Sequence, residues 1–306
     1  MLTSDAQPSA SSSAFQRFPW RLAVLGGLLL WAYLPMLSVF GDKWLHDPQY
    51  SHGCLVPLFS AYLLRRAWQS GPIAFAPMPV LGYGLLGAVL IMRVIAGSLL
   101  FHQLDAASLL LTLVALSLAV GGRPLLQRTG PAIAFLVFMI PLPYELERNV
   151  GQPLKVAATV SSTYLLQTLG QPAVRDGNLI LIDEIRLGVV DACSGLKMMV
   201  TFAAFSVGAV LLMKTSRFEK LMVIFGIIPI AVASNVLRIT ATGLSYVAVN
   251  NKNLVEFLHD LHGWLMMPVG LGLLALEIWV LKRLVVTPER FDASGARLNG
   301  FALYTR

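Results

Sequence analysis

One cysteine, one arginine and two histidines are the residues of this 306-residue chain best suited to chemistry. Cys193 stands in VVDACSGLK, Val189–Lys197. With Asp191 or Ala192 as the cap, Cys193 falls in the first turn of a helix, where unpaired amide N–H groups and the macrodipole favour an anion. Such a position favours the thiolate, the nucleophilic form. Lys197, one turn further on the same face, adds positive charge. Ala192, Ser194 and Gly195 are small and leave the sulfur open to a backbone-sized substrate. Asp191 opposes the thiolate unless it is paired or points away, and a buried structural cysteine is the alternative. Arg238 stands in ASNVLRITATG, Ala233–Gly243, within an apolar run. A guanidinium at membrane depth is functional or paired. Arg238 can hold an oxyanion, a carboxylate or the thiolate, with Asn235 beside it at i−3; a structural ion pair with Asp191 or Asp260 is the other reading. His259 and His262 share a face in HDLHGW and carry protons near neutral pH. A metal site is a weaker alternative, since a third ligand such as His52 or Asp47 would have to join them. A Cys, a His and an Arg brought together point to nucleophilic acyl transfer. The His takes the thiol proton and later protonates the leaving amine, while the Arg stabilises the oxyanion.

The elements that must position these groups are membrane helices. Of the residues, 56% are apolar and 13% charged, about half the charge of a soluble domain. The apolar residues come in runs long enough to cross a hydrocarbon core. This excludes a soluble enzyme, a disordered protein and a disulfide-stapled secreted domain. The expected fold class is an all-α integral membrane protein of about eight transmembrane helices. The spans are expected near Trp20–Phe40, Cys54–Trp68, Val80–Leu100, Leu104–Val120, Pro131–Pro143, Ala192–Met213, Phe218–Tyr246 and Leu261–Leu284. The membrane domain is expected over 17–284, between a disordered tail at 1–16 and a short cytoplasmic tail at 285–306. The first apolar run is too long for a signal peptide and reads as a retained span.

The net charge of +7 fits basic cytoplasmic loops rather than nucleic acid, because no basic stripe interleaved with aromatics appears. With both termini in the cytoplasm, 14 basic residues fall in inner segments and 6 in outer ones. Arg93, Lys197 and Arg238 fall inside spans. Arg93 is expected to have no other polar group in its surroundings and reads as structural. All five histidines then map to the outer side, as do Cys193 and Arg238. The long outer segment, Tyr144–Val190, has its own pattern. Val150–Leu169 reads as an amphipathic helix at the interface, with a ninth span as the alternative. Asn178–Asp191 reads as a β-hairpin turning at Asp183–Glu184, and a lid over the site is a further expectation for it. The two cysteines, Cys54 and Cys193, form no metal-binding spacing.

These motifs resemble the exosortase/archaeosortase family. The resemblance rests on DPQYSHGCLVPL (Asp47–Leu58), FMIPLP (Phe138–Pro143), VVDACSGLK, NVLRI (Asn235–Ile239) and HDLHGW. It covers about residues 47–264, in the expected order. It implies a multi-pass cysteine protease or transpeptidase of the bacterial inner membrane, with its active site facing the periplasm. Its implied partners are the lipid bilayer and membrane-anchored protein substrates. Each substrate carries a C-terminal PEP-CTERM-type sorting signal: a short Pro-Glu-Pro-like motif, an apolar helix and a basic tail. The setting is linked to exopolysaccharide. By motif, Cys193 is the nucleophile, Arg238 the stabilising arginine and His259 the third member, with Asn235, Lys197, Asp191, His262 and His52 in support. Lys197 stands where arginine is more usual, and the lack of an appended soluble domain points to the B-type subgroup. No cofactor, metal or nucleic acid is implied. The competing readings are a non-catalytic component of exopolysaccharide export or assembly, a thiol oxidoreductase pairing Cys54 with Cys193, and a metal-dependent protease.

Overall fold

The computed structural model describes residues 19–46, 50–189, 195–249 and 251–284. The expected N- and C-terminal tails lie outside them. The described residues fall into two compact units. The first takes the chain up to Leu55 and then Leu64–Pro141; the second takes Val56–Leu63 and the chain from Leu142 onward.

The first unit is built from α1 (Pro19–His46), a 3-10 turn (Ser51–Cys54), α3 (Pro79–Ser98) and α4 (His102–Phe135), with the end of α2 (Leu55–Gln69). Its helices are apolar on faces that the protein itself does not cover. Val80 is 88% exposed and Trp31 75%, apolar surface that suits contact with lipid. Tyr33, Met36 and Phe40 of α1 close on Ala106 of α4 as a buried cluster. Beside that cluster lies a polar knot. Arg93 of α3 pairs through Nε with Asp105 Oδ1 at 3.3 Å. It also donates to the Ala32 carbonyl and stands 3.9 Å over the Tyr33 ring. The Tyr33 hydroxyl is bonded in turn to Ser108 and Thr112, both at 2.9 Å. The expectation that Arg93 lacks polar surroundings is therefore corrected. Its partners come from α1 and α4, two helices that spacing within α3 cannot reveal.

Helix α4 contains a reversal. Gly122 has φ 67° and ψ −156°, a region open essentially only to glycine. Ser117 and Thr129 nevertheless meet through their hydroxyls at 3.2 Å, whereas twelve residues of straight helix span about 18 Å. The chain thus doubles back at Gly122; the first arm holds the expected fourth span, and the second, ending at Phe135, overlaps the expected fifth, Pro131–Pro143, only at its end. Segment 71–78 seals this turn: Ala76 N donates to Gly121 O at 3.2 Å and Met78 N to Leu118 O at 3.0 Å. Arg128 holds the end of α2, donating to the Ala67 carbonyl at 3.0 Å and the Gly71 carbonyl at 2.9 Å. A Cβ on Gly122 would run into the Ala76 carbonyl oxygen. Gly122→Ala is therefore expected to cost about 3 kcal/mol. Thermal unfolding in detergent should show a clearly lowered midpoint; an unchanged midpoint contradicts the reversal.

The second unit comprises α5 (Tyr144–Thr168), strands β1 (Ala173–Asp176), β2 (Leu179–Ile182) and β3 (Ile185–Gly188), then α6 (Gly195–Leu212), α7 (Arg217–Phe225), α8 (Ile227–Ala248) and α9 (Lys252–Leu284). Ser216 caps α7 in a reciprocal capping box with Glu219. Pro229 lacks the N–H that would bond Phe225, and the short break between α7 and α8 falls there. The expected hairpin is present with its turn at Asp183–Glu184, but the structure adds a strand. The sheet has three antiparallel strands in the order β1-β2-β3. Ala173, Ile180, Ile182 and Val189 form one buried cluster with Ala158 and Leu166 of α5 and Ile239 of α8. The sheet is thereby fixed to the helices by its apolar face.

α5 confirms a helix where amphipathicity predicts one, and its inner face is half hydroxyl. Ala158, Thr159, Ser162 and Leu166 are buried. Thr159 and Thr163 donate to carbonyls one turn back, at 2.7 and 2.8 Å, which satisfies them inside the helix. α5 packs against α8 and α6. It is long enough to cross a membrane but is not among the candidate spans.

Among the described residues, five stretches are both long and apolar enough to cross: Val24–His46, Pro79–Ser98, His102–Met139, Arg217–Ala248 and Leu261–Leu284. These five stretches stand against the eight spans expected. Two of the eight share the doubled stretch His102–Met139. α2 has 15 residues, about 22 Å of helix and shorter than the ~30 Å hydrocarbon core. α6 contributes a shorter apolar helix, Met199–Leu212. The protein is a mostly helical, multi-pass membrane protein with a small antiparallel sheet.

Candidate active site

Helix α8 carries an unusual load of polar groups for an apolar helix. Ser234, Asn235, Thr240 and Thr242 are all buried, and Arg238 lies among them. Asn235, Arg238 and Thr242 recur at i, i+3 and i+7, so they follow one face. α9 packs against α8, and its contribution is decided by Gly263. A Cβ built there would lie 3.3 Å from Arg238 Nη2 and 3.8 Å from Cζ. Glycine thus lets the guanidinium rest on the α9 backbone. One residue earlier, His262 Nδ1 lies 3.5 Å from Thr242 Oγ1, at the outer limit of hydrogen bonding. The expected meeting of the seventh and eighth apolar runs at Arg238 and the HDLHGW motif is therefore present.

The other expected site residues are distributed as follows. Position 259 lies on α9 one turn before Gly263, and Lys197 lies in the first turn of α6. Cys193 and Asp191 fall outside the described residues. The chain enters that segment from Val189, buried against Ile239, and leaves it into α6, which packs on α8 and α9. His52 is buried in the first unit, within the 3-10 turn Ser51–Cys54. Cys54 is an exposed free thiol.

Two features escaped the sequence reading. A groove borders the site, with β3 on one side and Ile239, Thr242 and Tyr246 of α8 on the other. Its signal was the hairpin leading straight into the cysteine motif. Glu277 is the second. Its carboxylate lies against Gly226, and its Oε2 is buried without a hydrogen-bond partner among the described residues. The signal was available: one acid inside the apolar run LLALEIWVL.

The family model described as transmembrane exosortase (Exosortase_EpsH) matches residues 44–276. The chain belongs to the exosortase family. Membership implies a PEP-CTERM sorting transpeptidase, generally one that works through a cysteine. The matched stretch includes Cys193, Arg238, His259 and His262 and ends one residue before Glu277. Comparison with curated proteins and with solved structures finds no match.

Mutation tests the expected ranking of the two histidines of this exosortase. His262 is engaged by Thr242, whereas position 259 lies one turn from the glycine that seats Arg238. His259→Ala is expected to lower substrate processing by about 10²–10⁴-fold, the range for loss of a general acid–base, and His262→Ala by much less. Processing of a tagged substrate by each variant checks this. A reversed ranking would transfer the role to His262.

Proposed function

We propose that this exosortase cleaves the C-terminal PEP-CTERM-type signal of exported, membrane-anchored proteins through Cys193, Arg238 and His259. The observation that carries the reading is the seat of Arg238. A guanidinium inside an apolar helix lies on the backbone of the neighbouring helix at Gly263, in the motif that holds His259. Chain length supports the placement of the sulfur. Cys193 follows Val189 by four residues and can be no farther than about 14 Å from it. In the proposed reaction the Cys193 thiolate attacks the scissile carbonyl while Arg238 stabilises the oxyanion. His259 then protonates the leaving amine as the C–N bond breaks. The thioester left on Cys193 is resolved by water or by an amine acceptor. Asn235 orients Arg238, and Lys197 favours the thiolate.

Laid over the eight expected spans, the excess of basic residues in alternate loops supports cytoplasmic termini and a site at the periplasmic boundary of the bacterial inner membrane. An apolar substrate tail with basic residues at its end fixes the height of the scissile bond in the bilayer. The test is co-expression with a tagged single-span protein bearing a Pro-Glu-Pro-like motif, an apolar helix and a basic tail. Shortening of the tagged protein only when the chain is present supports the reading. A substrate left at full length beside well-inserted enzyme overturns it in favour of a non-catalytic role.

A further inference from the structure

Among the described residues, strand β3 has one side without a strand partner. The sheet order is β1-β2-β3, and β2 pairs with β3 as Leu179↔Gly188, Ile180↔Leu187, Leu181↔Arg186 and Ile182↔Ile185. Just beyond the strand, Val189 N donates to Asn178 O at 2.9 Å. Antiparallel partners alternate between bonded and non-bonded pairs. Leu187 and Ile185 are therefore the residues bonded to β2. Arg186 and Gly188 turn their N–H and C=O groups away from it. Such an edge is a template for another strand.

The space on that side is the groove bordered by α8. Arg186, Leu187, Gly188 and Val189 all line it. Side chains alternate between the faces of a strand, so four consecutive lining residues place the groove along the strand edge rather than over one face. Arg186 is exposed there, and Gly188 brings no side chain to obstruct a close main chain. The far wall leads into the proposed site: Ile239 adjoins Arg238, and Thr242 meets His262.

We propose that β3 is the substrate-docking edge, and that the segment to be cleaved adds beside it as a fourth, antiparallel strand with an acidic side chain opposite Arg186. The proposal rests on the peptidase reading and specifies how that site takes its substrate. A Pro-Glu-Pro segment suits this register. If the Glu forms the bonded pair with Arg186, its N–H and C=O meet those of Arg186, and the two side chains lie together on one face. The flanking prolines then fall at positions whose nitrogens face away from β3, where a missing N–H loses no ladder bond. The chain runs on from this edge to Cys193, four residues beyond Val189.

Disulfide trapping in membranes tests this with the full chain. The enzyme carries Cys54→Ala, Cys193→Ala and Arg186→Cys, so it binds without cleaving. The probe is the tagged single-span substrate, with one cysteine moved stepwise through the eight or so residues around its Pro-Glu-Pro motif. Strong cross-links at the Glu position and at every second residue are expected. Uniform yields, or none, overturn strand addition. In the otherwise native enzyme, Arg186→Glu is expected to slow processing about tenfold or more, because like charges then face one another. Changing the motif Glu to Arg should restore it. Normal processing by Arg186→Glu overturns the assignment while leaving the peptidase reading intact. If the native chain never processes the substrate, the peptidase reading itself fails, whatever the cross-links show.

Discussion

Cys193→Ala is expected to take processing of a co-expressed substrate below detection, with membrane insertion and protein level unchanged. No other group is assigned to form the acyl bond, and removing a nucleophile costs on the order of 10⁴–10⁶ in rate where catalytic residues act as a unit. Cys193→Ser is the sharper variant. It preserves size and a hydrogen-bonding atom but replaces a thiolate with a hydroxyl, a far weaker nucleophile at neutral pH. The ratio of cut to uncut tagged substrate on an immunoblot reads both. Processing by Cys193→Ala at the native level would exclude the thiol mechanism. Cys54→Ala, which removes the exposed thiol of the first unit, is expected to process normally; its failure would revive the pairing of the two cysteines.

Arg238→Ala is the second large effect, with an expected loss of about 10²–10³-fold, the range for removing one oxyanion donor. Arg238→Lys should recover part of this. The ammonium keeps the charge but lacks the planar fork of donors and does not reproduce the close approach of Nη2 to Gly263. A purely structural arginine behaves differently: its loss lowers the amount of folded protein and leaves the activity per molecule unchanged. Quantifying membrane-extracted enzyme beside the processing ratio separates the two. Gly263→Ala is a companion variant. Its added methyl group would crowd Arg238 Nη2 and should lower processing without touching any reacting group.

Much of this arrangement could be read from residue order. The apolar runs locate α1, α3, the first arm of α4, α8 and α9, because a hydrocarbon core requires long runs and leaves their mark in composition. The turn at Asp183–Glu184 was legible from the hairpin pattern, and Arg238 from its cost at membrane depth. β1 was missed because Ala173–Asp176 carries two charged residues in four and is half of a strand pattern only when its partner is known. The doubling at Gly122 was not legible: the expected fifth span starts at Pro131, because Gly122, Arg123 and Pro124 read as a loop rather than as a reversal within one helical stretch. The Arg93 knot was invisible because Tyr33, Asp105 and Arg93 lie on three helices. The β3 edge could not be foreseen either, since which amides of a strand remain unpaired depends on register and sheet order, both tertiary facts.

The central claim is a covalent bond between this chain and its substrate, and trapping that bond tests it most directly. Enzyme and tagged substrate are co-expressed, denatured rapidly and separated, and the joined species is digested and its modified residue mapped. Acyl transfer through the thiol requires an adduct released by neutral hydroxylamine, as a thioester is, with the substrate fragment on Cys193. An adduct on any other residue, or efficient processing by the Cys193→Ala chain, would contradict it.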